Sequence, residues 1–171
     1  MCVIIYKPAG KDLPSIDILD KAYRRNHHGC GLVSPSLFYK GLSYASFKKH
    51  LKECTKEEPL LIHFRYATHG SVKKSNCHPF YDKDTETYFM HNGIIGGVRP
   101  KGDMTDSEYA FRWLLQPLIK RYGYNSVEIM NAAWHISGGY SKFAMLKGND
   151  VRLVGEFIPY HGCYFSNMRF L

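Results

Sequence analysis

Met1-Cys2-Val3-Ile4-Ile5-Tyr6-Lys7-Pro8-Ala9-Gly10 opens the chain. From Cys2 to Tyr6 the run is continuously apolar and β-branched. Lys7-Pro8-Ala9-Gly10 closes it, which predicts a strand buried on both faces and ending in a turn. Residue 2 then begins a core strand. Read alone, Cys2 has two meanings. It is a small apolar residue of a buried strand, or, once Met1 is removed as is usual before a small residue, it carries a thiol and a free α-amine together. An α-amine titrates at about 7.7 to 8.0, close enough to neutrality to take the thiol proton directly or through a water. The run has no basic segment before it and is too short for a signal peptide, and no apolar stretch is long enough to span a bilayer.

Working outward, Ser15 to Arg25 places Ile16, Leu19, Ala22 and Tyr23 on one helical face, with Asp17 and Asp20 toward the positive end of the helix dipole. Ser43 to Cys54 has Tyr44, Phe47 and Leu51 at helical spacing among lysines, a second and more exposed helix. Strands are expected near Leu37 to Lys40, Leu60 to Tyr66 and Thr87 to His91. Thr105-Asp106-Ser107-Glu108 reads as a capping box ahead of Ala110, Phe111, Leu114, Leu115, Leu118 and Ile119, with a kink at Pro117. A short helix over Ser126 to Trp134 follows. Tyr140 to Leu146 and Val151 to Phe157 form a hairpin of half-buried strands about Gly148-Asn149-Asp150, and Cys163 to Ser166 is a last strand. The order strand, helices, strands, helices, strands predicts one α+β domain over residues 1–171, with helices segregated from mainly antiparallel sheets.

The chain has 171 residues, 44% of them hydrophobic, enough for one core. Lys and Arg outnumber Asp and Glu by 23 to 15 for a net charge of +8, which favours acidic partners without naming one. The basic residues are scattered and no nucleic-acid motif is present. With thirteen tyrosines, a basic binding module that has lost its chemistry is the competing class, and nucleic acid is disfavoured as its partner. Five cysteines without a paired motif suggest neither a disulfide framework nor a zinc knuckle, and point to a reducing, cytoplasmic setting.

Polar groups collect at His63-Phe64-Arg65-Tyr66-Ala67-Thr68-His69-Gly70-Ser71, continued by Asn76-Cys77-His78-Pro79-Phe80. Arg65 is either a strand-end residue in a surface ion pair or a fork for a carboxylate, with Thr68 and His69 beside it. His69 and His78 also read as ordinary loop histidines. In His91-Asn92-Gly93-Ile94-Ile95, the Asn side-chain amide and the Gly N–H form either a tight turn or a pair of donors aimed at one oxyanion. Asp106 serves either the helix dipole or an ammonium group.

These segments, taken in order with Cys2 after Met1, resemble the class II glutamine amidotransferases, and the likeness covers nearly the whole chain. The resemblance implies the four-layer αββα fold of the N-terminal-nucleophile hydrolases, with two stacked, mainly antiparallel sheets. It implies that Cys2 attacks the side-chain amide of glutamine with its own amine as base and acid, through a glutamyl thioester that releases ammonia. Asn92 and the Gly93 N–H would stabilise the oxyanion. Arg65, helped by Thr68 and His69, would hold the α-carboxylate, and Asp106 with the Gly93 carbonyl the α-ammonium. No cofactor and no metal are called for.

The chain departs from the family in places. Of Arg24 to Leu32 only the Gly29-x-Gly31 end matches. Asn26 is a candidate to line the pocket, the family's arginine role is not transferred to Arg25, and His27, His28 and Cys30 are too crowded for a metal site. The connection from Gly93 to Asp106 is short for the family. Large members carry a fused synthase that consumes the ammonia, whereas this chain ends at Leu171. A separate ammonia-accepting synthase subunit or enzyme is therefore expected, with the Thr68 to Phe80 loop as the ammonia-handling surface. The alternative is a freestanding amidohydrolase of γ-glutamyl or acyl amides.

Overall fold

A computed structural model describes residues 1–68 and 70–171. Strand β1 (Val3–Lys7) pairs antiparallel with β4 (Leu60–Phe64) on one edge and β10 (Cys163–Phe165) on the other. Beyond β4 lie β2 (Cys30–Val33) and β3 (Phe38–Gly41), and beyond β10 lies β9 (Ile158–Tyr160), giving the order β3-β2-β4-β1-β10-β9. A second antiparallel sheet runs β5 (Phe80–Asp82), β6 (Thr87–Asn92), β7 (Lys142–Lys147) and β8 (Asp150–Val154).

Strand alternation sorts the apolar residues into layers. Val3 and Ile5 of β1, with Ile62 and Phe64 of β4, pack with Leu19 and Phe47, which belong to helices α1 (Ile16–Arg25) and α2 (Tyr44–Leu51). Ile4, Leu61 and Val33 face the other way and meet Met90, Ala144 and Leu146 of the second sheet. On that sheet's outer face Phe89, Phe143 and Met145 pack with Phe111, Ile119 and Ile129 of the second helical layer. Helix, sheet, sheet, helix is the expected αββα stack, and both expected sheets are antiparallel. Among the described residues no helix is long and apolar enough to cross a membrane.

Local expectations needed correction where tertiary packing decides. Strands β2, β5 and β9 were not anticipated. In β2 the cause is Gly31, which looks like loop punctuation but lies where an added Cβ would overlap the His78 carbonyl. Ile16 is 53% exposed and Ile18 is buried in its place. Gln116 donates its N–H to the Phe111 carbonyl five residues back, so a π turn over Ala110–Leu115 breaks the long helix ahead of α4 (Gln116–Tyr122), with Pro117 at its first turn. The chain stays helical through this point, and its irregularity lies immediately ahead of Pro117, which has no N–H to give the preceding turn. Thr105 caps α3 (Asp106–Tyr109) by accepting the Glu108 N–H at 3.1 Å, but Glu108 pairs with Arg112 at 2.7 Å instead of completing the box. Helix α5 (Val127–Ser137) runs past Trp134 to a left-handed cap at Gly138. Phe143 to Leu146 in β7 are fully buried, not half-buried, because that strand lies between a sheet and a helical layer.

Gly31→Ala should lower stability by about 1–3 kcal/mol in urea titration, because backbone on both sides must move. Gly96→Ala, with nothing within 4 Å of the added Cβ, should stay within about 0.5 kcal/mol of the parent. A neutral Gly31→Ala would contradict the close approach of β2 to residue 78.

Candidate active site

Just beyond the Val3 and Phe64 pair that ends the β1–β4 ladder come Cys2 and Arg65. Alternation places Cys2 on the same side as Ile4, at the mouth of the gap between the sheets. The Tyr66 N–H lies 3.3 Å from the Cys2 sulfur and the Tyr66 carbonyl 3.5 Å from it. Asn167 donates its side-chain N–H to the Cys2 carbonyl at 2.8 Å. Burial pushes the thiol pKa up, opposed by the Tyr66 backbone, the positive N-terminus and Arg65.

Asn92 ends β6. Gly93 has φ 140°, and an added Cβ would lie 2.9 Å from the Ser141 Cα, so this position has neither the conformation nor the room for a side chain. The tight-turn reading is set aside, since β6 pairs with β5 and β7 and the chain after Gly93 leads to α3, not to a hairpin partner. Ser141 donates its hydroxyl to the Ile94 carbonyl at 2.9 Å and lies 3.0 Å from His91 Nε2. His91 Nδ1 is 2.7 Å from Ser107 Oγ. Asn92 is buried, donates Nδ2 to Ser166 Oγ at 2.9 Å, and leaves its Oδ1 without a partner.

Arg65 is 3% exposed, so it is no surface residue. Its guanidinium donates to the carbonyls of Ser71 at 3.0 Å and Gly70 at 3.3 Å. Asp106 accepts the Ile95 N–H at 2.8 Å and the Ser107 N–H at 2.9 Å, which ties the short connection from Gly93 back onto α3. A cavity of about 20 Å³ is lined by Cys2, Arg65, Thr68, His78, Gly93 and Asp106 among others. A second cavity of about 250 Å³ shares Cys2, Tyr66, Thr68 and Gly93 with the first and is otherwise walled by Met1, Ile94 and Tyr140. The structure thus brings Cys2, Arg65, Thr68, Gly93 and Asp106 around common space. Asn92 is in the lining of neither cavity, and His69 lies outside the described residues.

Several neighbouring residues take roles that no local pattern gives. His28 accepts the Ala67 N–H at 3.0 Å, pinning the loop after Arg65. His27 and His28 meet edge to face, while the Cys30 thiol turns to the Gly41 carbonyl at 3.6 Å, so these three do not converge. Asn26 ends α1 with its side-chain N–H on the Ala22 carbonyl at 2.9 Å and is not in the lining of either cavity. His78 is buried against His63, with ring centres 4.1 Å apart, so it is not an ordinary loop histidine. His63 donates Nε2–H to the His91 carbonyl at 2.9 Å. Burial holds His63 down to about 3 and His91 to about 4, the latter against the pull of Asp106. His78 lies well below its usual value for the same reason. All three are neutral at pH 7.

The family model of the class II glutamine amidotransferases matches residues 46–140. The chain belongs to this family. The matched stretch holds Arg65, Thr68, Asn92, Gly93 and Asp106, while Cys2 precedes it. Among curated relatives, "Putative glutamine amidotransferase YafJ" of Escherichia coli is 37% identical over 82 residues, 42% of this chain and 30% of that protein. Glutamine–fructose-6-phosphate aminotransferase (isomerizing) of Idiomarina loihiensis is 26% identical over 141 residues, 74% of this chain and 23% of that protein. The chain therefore spans under a third of the length of these relatives. The solved structure of glutamine phosphoribosylpyrophosphate amidotransferase from B. subtilis, complexed with ADP and GMP, superposes with a TM-score of 0.59 at 16% identity, over 96% of this chain and 41% of that one. That likeness carries the fold, two antiparallel sheets stacked between helical layers.

The neutral histidines set an acid limit. Their folded pKa values lie below the unfolded value of 6.5, so the stability they allow is present above about pH 6.5 and drains away toward pH 3 to 4. Each contributes a slope of up to about 1.4 kcal/mol per pH unit. The urea midpoint should already fall between pH 7 and pH 5, above the range where ordinary carboxylates titrate. A level midpoint down to pH 5 would contradict the buried neutral cluster.

Proposed function

We propose that residues 1–171 work as one glutaminase unit in which Cys2, freed of Met1, hydrolyses the side-chain amide of glutamine. The observation that carries this reading is the convergence on one thiol of an Arg, an Asp and a side-chain-free backbone position, all from different strand and helix ends. The α-amine of Cys2 takes the thiol proton, and the sulfur attacks the amide carbon. The tetrahedral oxyanion is met by the Asn92 side-chain N–H and the Gly93 N–H. The C–N bond breaks, the proton passes to departing ammonia, and a glutamyl thioester remains. Water, deprotonated by the same amine, cleaves the thioester to glutamate and regenerates the thiol. Arg65 with Thr68 and His69 takes the α-carboxylate, and Asp106 with the Gly93 carbonyl takes the α-ammonium. No cofactor enters the reaction. Ammonia goes to an acceptor on a separate synthase, in the cytoplasm, a setting suited to five unpaired cysteines.

The larger, mostly apolar cavity beside Cys2 favours one second reading, a γ-glutamyl amide whose leaving amine is larger than ammonia. Glutamate release from glutamine and from a γ-glutamyl anilide, followed for the parent and its variants, tests both. Cys2→Ala should abolish turnover, Asn92→Ala should lower kcat roughly 10²- to 10³-fold, and Asp106→Asn should act mainly on KM. Equal glutamate release by Cys2→Ala would overturn the proposal. A higher kcat/KM on the anilide would move the substrate to the second reading.

A further inference from the structure

Ser166 follows β10 and is fully buried. Its backbone N–H donates to the Ile4 carbonyl at 2.9 Å, and the Ile4 N–H donates to its Oγ at 2.8 Å. The same Oγ accepts Asn92 Nδ2 at 2.9 Å. Ser166 therefore joins the nucleophile strand, two residues from Cys2 on the same face, to the side chain of Asn92.

The hydrogen-bond count at this junction is uneven. A hydroxyl has one proton to give and two lone pairs to offer. Here both lone pairs face N–H donors, while Asn92 Oδ1 is buried with no donor. A buried acceptor left so costs about 1–3 kcal/mol. A half-turn of the Asn92 amide exchanges its two ends and pairs Oδ1 with the hydroxyl proton. The Ser166 hydroxyl then donates to Oδ1, keeps the Ile4 N–H as its donor, and leaves Nδ2 where Oδ1 stood.

We infer that Ser166 is a positioning residue for the oxyanion donor: its hydroxyl holds Asn92 Oδ1 so that Nδ2 is presented to the reacting carbonyl. This rests on the reading of Asn92 as that donor. In the arrangement with Nδ2 on Ser166, one of the two Asn92 N–H groups is given to the hydroxyl. In the turned arrangement Oδ1 and the Ser166 hydroxyl proton are paired, and both N–H groups of Nδ2 are left for the substrate. Ser166 touches no reacting atom and acts through Asn92.

A double-mutant cycle in glutamine hydrolysis, with thermal midpoints as the check on folding, tests it. Ser166→Ala should lower kcat roughly 10- to 100-fold with KM within about twofold of the parent. In an Asn92→Ala background the same change should alter kcat by less than about twofold, since nothing is left to orient. If Ser166→Ala does not fold, Ser166→Cys, which keeps the volume with a weak donor, takes its place in the cycle. A folded Ser166 variant with the parent's kcat, or one that costs the same factor with and without Asn92, would overturn the inference while the glutaminase reading stands. An Asn92→Ala enzyme as fast as the parent would overturn the oxyanion role itself, and the inference with it.

Discussion

Strand β1 is hydrogen-bonded along both edges and packed on both faces, and every group around Cys2 is placed relative to it. Val3 and Ile5 press on α1 and α2 while Ile4 presses on the second sheet, and none has measurable exposure. Burying each such side chain is worth about 1.5–3 kcal/mol. A slip of one residue would turn all of them to the wrong layer. The register of β1 is therefore strongly held, and it delivers Cys2 to the gap between the sheets and not to the helical face.

Around that point the site is made from places where ladders stop. Arg65 follows the last pair of β4, and Gly93 follows the last pair of β6. Strand ends release backbone groups from pairing, and here those groups hold the charges. Asp106 rests on the N–H groups of Ile95 and Ser107, and Arg65 rests on the carbonyls of Gly70 and Ser71. Neither charge is buried without a partner, which would cost several kcal/mol. A zwitterionic substrate would find both polarities in place. The neutral histidines behind them add shape and hydrogen bonds without a further charge.

What could be read from the sequence follows from how far apart the deciding residues lie. The β1 run, the helices after Ser15 and Ser43 and the pairing of β7 with β8 declare themselves within a few positions, and the structure has each of them. The residues around the common cavity were legible as short motifs whose types suit amide chemistry. Strand β2 was hidden because its glycine serves a contact with residue 78. Ser166, Ser141 and His28 escaped notice for the same reason. Their partners lie 74, 50 and 39 positions away, beyond any local pattern.

The central claim is that the working nucleophile is the thiol of a processed Cys2. Intact mass with N-terminal peptide analysis, before and after treatment with a diazoketone analogue of glutamine, tests it most directly. The expected result is a chain lacking Met1 that gains one adduct, located on Cys2 and prevented by excess glutamine. Retained Met1, or an adduct on Cys30, Cys54, Cys77 or Cys163 with Cys2 unmodified, would contradict it.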